Sequence, residues 1–221
     1  MAVFKKSAVA AFLLGFAFFA NPASAVVINV EPDDFGAGTP ITNSYPGVTL
    51  SVEGSADTVI SADGTINTPI EGIVNRATTG TRVFGKDPAF PTAGIPQAWN
   101  EGIGFLRADF AAPANFVSID FIFTDDDYGI LKAFNSSDAL VALVVIYSDV
   151  PGWQTASISR AIADIAYVVA GSPTEFGGVP TGDAILLDNL VANVIPIPAA
   201  LPLFASGLLV FGFVAARRRM A

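Results

Sequence analysis

From Val117 to Phe123 the chain alternates, with Val117, Ile119, Phe121 and Phe123 pointing one way and Ser118 and Asp120 the other. That two-residue period belongs to a strand with one buried face. Similar short runs occur at 26–30, 48–53, 104–110, 130–135, 140–147, 156–160, 163–169 and 184–194, with Gly, Pro and Asp between them. The alanine-rich stretch from 160 to 170 fits a strand or a helix, and no other interior segment reads as a helix of ordinary length. Many short strands joined by turn residues predict an all-β domain, an antiparallel β-sandwich of jelly-roll type. The roughly 170 residues between the ends suffice for one core and are too few for two. No internal repeat is evident.

The two ends follow a different pattern. Residues 1–25 carry Lys5 and Lys6, then an uncharged run from Ser7 to Ala20 rich in Phe and Leu, then Pro22-Ala23-Ser24-Ala25. A charged start, a short apolar stretch and small residues at Ala23 and Ala25 make a secretory signal peptide, cleaved by signal peptidase after Ala25. At the other end, Ala199 to Ala216 is 18 residues without a charge, followed at once by Arg217-Arg218-Arg219. A helix of that length reaches roughly 27 Å, close to the hydrocarbon thickness of about 30 Å. It predicts a transmembrane helix whose arginines stay in the cytoplasm, leaving residues 26–194 outside the inner membrane.

Charge sharpens this division. All 20 acidic residues but only six of the 11 basic ones lie in 26–194, so this part carries a net charge of −14. Nucleic acid and anionic membrane surfaces are therefore poor partners. The chain has no His and no Cys. That removes Ser-His-Asp and Cys-His catalysis, imidazole and thiolate zinc sites, and disulfides.

The order Ile195-Pro196-Ile197-Pro198-Ala199, then an apolar span with Ser206-Gly207 and Gly212, then the arginine cluster, resembles the PEP-CTERM family of bacterial sorting signals. It is most similar to the variant that begins Val-Pro-Leu-Pro-Ala, with isoleucine here in place of valine and leucine and no glutamate between the prolines. The resemblance covers residues 195–221: motif 195–199, transmembrane helix 199–216 and basic tail 217–219. It implies recognition by an exosortase, a membrane-embedded cysteine protease or transpeptidase. The protein would then be released or anchored in a Gram-negative envelope, often alongside exopolysaccharide or biofilm production. Two prolines suit such a motif, because they withhold backbone donors and keep the strand extended.

The opening Asp33-Asp34-Phe35 through Tyr45-Pro46-Gly47-Val48 and the ending Leu187-Asp188-Asn189-Leu190 resemble the first and last strands of carbohydrate-binding-type jelly rolls. That resemblance implies neighbouring terminal strands and a structural Ca2+ held by acidic residues, with Asp33, Asp34 and Asp188 as candidates. A second metal candidate is Asp125-Asp126-Asp127, expected at a hairpin tip, where adjacent carboxylates repel one another unless water or a cation screens them. In that run Asp125 and Asp127 are the candidate ligands, with a solvated turn as the plainer alternative.

Trp99 and Trp153 are the only tryptophans and lie beside turn residues. With Tyr45, Tyr128 and Tyr147 they offer flat faces for sugar rings, and Asn100, Gln154 and Asp149 offer hydroxyl partners. Core packing at the sandwich edge is the alternative for each ring. The expected function is that of an exported, non-catalytic envelope or matrix protein associated with extracellular polysaccharide. A carbohydrate-active hydrolase using two carboxylates is the rival, since that chemistry needs no histidine.

Overall fold

The computed structural model describes residues 24–68, 72–87, 98–102, 104–124, 126–173, 175–176, 179–180 and 185–196. Residues Ala25–Ile195 make one compact unit. Its strands are β1 (Val26–Val30), β2 (Val48–Val52), β3 (Thr58–Asp63), β4 (Thr65–Thr68), β5 (Gly72–Asn75), β6 (Arg82–Asp87), β7 (Leu106–Phe123), β8 (Asp127–Phe134), β9 (Leu140–Ser148), β10 (Gly152–Ser159), β11 (Ile165–Gly171), β12 (Glu175–Phe176), β13 (Val179–Pro180) and β14 (Leu186–Val194). The only helical element among the described residues is a 3-10 turn at Pro32–Asp34, and none of their helices is long and apolar enough to cross a membrane. The signal peptide and the C-terminal span lie outside the described residues.

Every pairing of these strands is antiparallel, and the main sheet runs β1-β14-β7-β11-β8-β9, with β2 and β10 also on β7. The 18-residue β7 organises it. Its first half pairs with β2 and β11, and its second half pairs with β10 and β14. The two runs predicted at 104–110 and 117–123 are therefore one strand that changes partners near Pro113. A proline is tolerated there because the ladders on both sides are being exchanged.

The alternation decides what each half buries. Leu106 and Ala108 from the first half of β7, and Val117, Ile119, Phe121 and Phe123 from the second, enter one core with Leu50, Leu131, Val168, Ile158, Leu187 and Val30. Gly129 of β8 marks how closely the halves approach. A Cβ there would stand 2.5 Å from the Phe121 ring, so the position excludes every side chain. The sheet thus doubles back as two layers around a shared core.

The terminal strands lie side by side, from Val26 opposite Val194 to Val30 opposite Leu190. The stretch 160–170, which fits a strand or a helix, contains strand β11 near the run predicted at 163–169, with Val168 and Ala170 reaching the core two residues apart and Ile165 joining them across a bulge. One expectation needs correction. The link 124–126 is no hairpin tip, since β11 sits between β7 and β8 and those two strands never pair.

Strands β3 to β6 had no counterpart in the sequence reading. Ala62 of β3 and Val83 of β6 form a small second cluster with Ile122 of β7 and Leu186 of β14, on the face of those strands that looks away from the main core. One outward face is therefore roofed, while on the other Leu143 and Tyr147 of β9 stay exposed beside the buried Ile130 of β8.

Candidate functional site

The roofed face holds buried carboxylates. Asp120 of β7 and Asp188 of β14 stand opposite each other in the ladder and are 5% and 0% exposed. The segment 76–81 closes over them. The Thr78 and Thr79 backbone N–H groups donate to Asp188 Oδ2 at 2.8 and 3.2 Å, the Thr78 hydroxyl lies 2.9 Å from both carboxylates, and the Asn189 N–H donates to Asp188 Oδ1. Thr155 donates to the other oxygen of Asp120. Burial is the main force pushing the Asp188 carboxyl above the usual carboxylate range, and the donors oppose it.

Beside this pair lie Glu31 and Asp33. Asp33 Oδ1 accepts the Thr81 N–H, whereas Asp33 Oδ2 and Glu31 Oε1 are buried without a hydrogen-bond partner. Burial, with the nearby Asp188 and Asp33 adding to it, pushes Glu31 up to about 7. Gly80, at φ +48°, passes so near Asp33 that a Cβ would fall 2.3 Å from its carboxylate. Two open carboxylate oxygens fit a hard, oxygen-seeking cation such as Ca2+.

The predicted trio does not form that set. Asp34 is exposed, Asp188 is already filled by donors, and only Asp33 of the three joins Glu31, a residue outside the predicted trio. Among the described residues no group of three His, Cys, Asp or Glu is placed to hold a metal ion. The second metal candidate also changes character. Asp125 lies outside the described residues, and Asp127 is 2% exposed, its Oδ1 accepting from the Ser172 hydroxyl and the Tyr128 N–H. It is a buried bracket between β8 and the end of β11, not a solvated turn.

The tryptophans part company. Trp99 is completely buried, donates Nε1–H to the Phe84 carbonyl at 2.9 Å, and lies 4.9 Å beneath Lys86 Nζ. A ring with no free face cannot stack on a sugar, which corrects the ligand-binding expectation for Trp99. Tyr45 is also buried, with its hydroxyl bound to the Glu31 carbonyl. Trp153, by contrast, is 59% exposed.

Tyr128 and Tyr147 are direct partners in the β8–β9 ladder, their rings 4.7 Å apart at 41°. The Tyr147 hydroxyl bonds Asp126, which with burial, Asp149 and Tyr128 pushes it up to about 12. Further along, Phe134 stacks on Tyr167 at 4.8 Å, and the Arg107 guanidinium lies 3.8 Å over the Tyr167 ring. Tyr167 thus has both faces occupied.

At the ends of the domain, Ala25 is exposed just before β1, and the Ile195 N–H donates to the Pro113 carbonyl. Pro196 is half-buried. Ala23, Ile197, Pro198, Ala199, Arg217, Arg218 and Arg219 lie outside the described residues.

No family model and no curated protein matches the chain. Among solved structures it is similar to the K3 adhesin domain of Lys-gingipain from Porphyromonas gingivalis, at 13% identity and a TM-score of 0.41, covering 77% of this chain and 99% of that one. It is also similar to the C-terminal family 22 carbohydrate-binding module of a Clostridium thermocellum protein, at 10% identity and a TM-score of 0.35, covering 68% and 86%. Both likenesses are distant.

Proposed function

We propose that residues 26–194 are an exported, non-catalytic module of jelly-roll type that attaches to extracellular polysaccharide at the envelope or in the matrix of a Gram-negative cell. The observation that carries this reading is where exposed apolar surface falls. Among the described residues, three of the eight exposed large hydrophobics, Leu140, Leu143 and Tyr147, lie along the single strand β9. Such a concentration, rimmed by polar groups, marks an interaction surface. The close carboxylate pair Asp120–Asp188 is shut away under Thr78, which supports binding over glycoside hydrolysis.

The terminal motifs supply delivery: signal peptidase at Ala25, transient anchoring in the inner membrane, then an exosortase-type enzyme acting at 195–199. Co-sedimentation of the protein with polysaccharide from its native host tests the function. Retention in the pellet is expected, and a protein left wholly in the supernatant would refute it. Mass spectrometry of the mature protein tests delivery, with Val26 as first residue and loss of Arg217-Arg218-Arg219 expected; an intact basic tail would leave a plain tail anchor.

A further inference from the structure

Resting on that reading, we infer that the outward face of β8 and β9, from the Tyr128–Tyr147 pair to Phe134 and Leu140, seats an extended polysaccharide without carboxylates, a neutral or amino-sugar polymer, and turns uronate-rich polymers away. Shape comes first. Gly129, Leu131 and Ala133 of β8 and Ala142, Val144 and Ile146 of β9 are on the core side, so Tyr128, Ile130, Lys132, Leu143, Val145 and Tyr147 lie on the other, where Ile130 is 5% exposed and the open strip runs along β9. From Leu140 to Ser148 the strand carries no charged residue, and Leu140, Leu143 and Tyr147 are 52%, 49% and 44% exposed. At about 3.3 Å per residue the strip is roughly 23 Å long, room for several sugar units laid end to end. The Tyr147 ring meets Tyr128 at 41° and stays 44% exposed, offering its surface to the C–H side of a pyranose.

Charge selects the class. Asp126 and Asp149 act on Tyr147 at one end, and Asp138, in the β8–β9 turn, acts on Tyr167 at the other. These carboxylates accept from sugar hydroxyls or ammonium groups and repel sugar carboxylates. Of the cations nearby, Arg107 is paired with Asp109 and Glu53 and Arg160 with Asp164, so only Lys132, 5.4 Å over the Phe105 ring, stands against these three carboxylates. A polyuronate would meet like charge on a domain of net −14, and a built-in repulsion of that kind is a common source of specificity.

The test is affinity electrophoresis of the full chain in detergent, in gels containing hydroxyethyl cellulose, glycol chitosan or alginate. Retardation by the first or second and none by alginate is expected. Tyr147→Ala should weaken it tenfold or more, Tyr147→Phe should keep most of it, and Asp126→Asn with Asp149→Asn should admit alginate. Trp153 is opposite Ile122, on the outward face of the other layer, so Trp153→Ala should leave the retardation unchanged. Equal retardation by alginate, or loss with Trp153→Ala and not with Tyr147→Ala, overturns the inference while the binding reading survives. No retardation by any of the three, together with no co-sedimentation with host polysaccharide, overturns both.

Discussion

The outward faces of the two layers use the same kinds of residue to opposite ends. Over β7 and β14 the carboxylates are buried and the donors that satisfy them come from the chain itself, chiefly Thr78, Thr79 and Thr155. Over β8 and β9, Asp126 and Asp149 stay exposed near Tyr147, which is itself 44% exposed. The roof makes the difference. Where β3, β6 and the segment 76–81 close a face, polar groups must be paired internally or cost stability. Without a roof, the same groups remain free to meet a ligand.

The hardest blow to this contrast falls on the roofed face. Asp188→Ala would leave the Thr78 and Thr79 N–H groups buried without their acceptor. Two orphaned donors, each costing about 1–3 kcal/mol, are expected to destabilise by at least about 2 kcal/mol. Urea unfolding measures it. A loss under 1 kcal/mol would mean that the segment 76–81 does not clamp β14.

Lys86 tests the interior behind that roof. It is 1% exposed, bonds the Ala98 carbonyl at 2.9 Å, and burial lowers its pKa to about 8, with Asp57 opposing. In the unfolded chain lysine keeps its proton to about 10.4. Between those values the unfolded state binds more protons, so stability is expected to rise with pH from about 8 to 10, by at most about 3 kcal/mol. Below pH 8 the cost of the buried charge is present in full. Lys86→Met should flatten the profile, and an unchanged slope in that variant would place the titration elsewhere.

The open oxygens of Glu31 and Asp33 give the next effect. A cation bound only by the folded state at 100-fold excess over its Kd adds about 2.7 kcal/mol, several degrees in Tm. Calcium is expected to raise Tm above chelator and above sodium chloride at matched ionic strength. Glu31→Gln should remove the gain and Asp34→Asn should not. If salt alone matches calcium, the effect is screening and not a site.

The contrast also explains what could be read from the sequence. Alternation such as that of Val117–Phe123 announces a buried face directly, so most strands of the main sheet were legible, whereas the meeting of the chain ends followed only from the resemblance of the terminal segments to jelly rolls. Strands β3 and β6 were not, because Val59 and Phe84 enter the main core while Ala62 and Val83 enter a second small cluster, and burial on both faces leaves no two-residue period to read. The tryptophans show the same limit. Both sit beside turn residues, yet Trp99 is sealed in the core and Trp153 stands in solvent. Glu31 went unnoticed because an acid after a strand looks solvated until Thr79, Asp33 and Asp188 are seen to gather round it.

The smallest stability effect belongs to the open face and sharpens the comparison most. Tyr147 and Trp153 are 44% and 59% exposed, so replacing either with alanine removes little buried area and should change unfolding free energy by less than about 0.5 kcal/mol. Trp99→Ala, in the sealed core, should cost about 3–5 kcal/mol. Unfolding curves of the three variants, set beside their polysaccharide retention, separate packing from binding. A surface residue kept for binding loses function without losing stability, and that is the outcome expected for Tyr147. If Tyr147→Ala instead unfolded the domain by several kcal/mol, the Tyr128–Tyr147 pair would be part of the packing, and the β8–β9 face would be as structural as the roofed one.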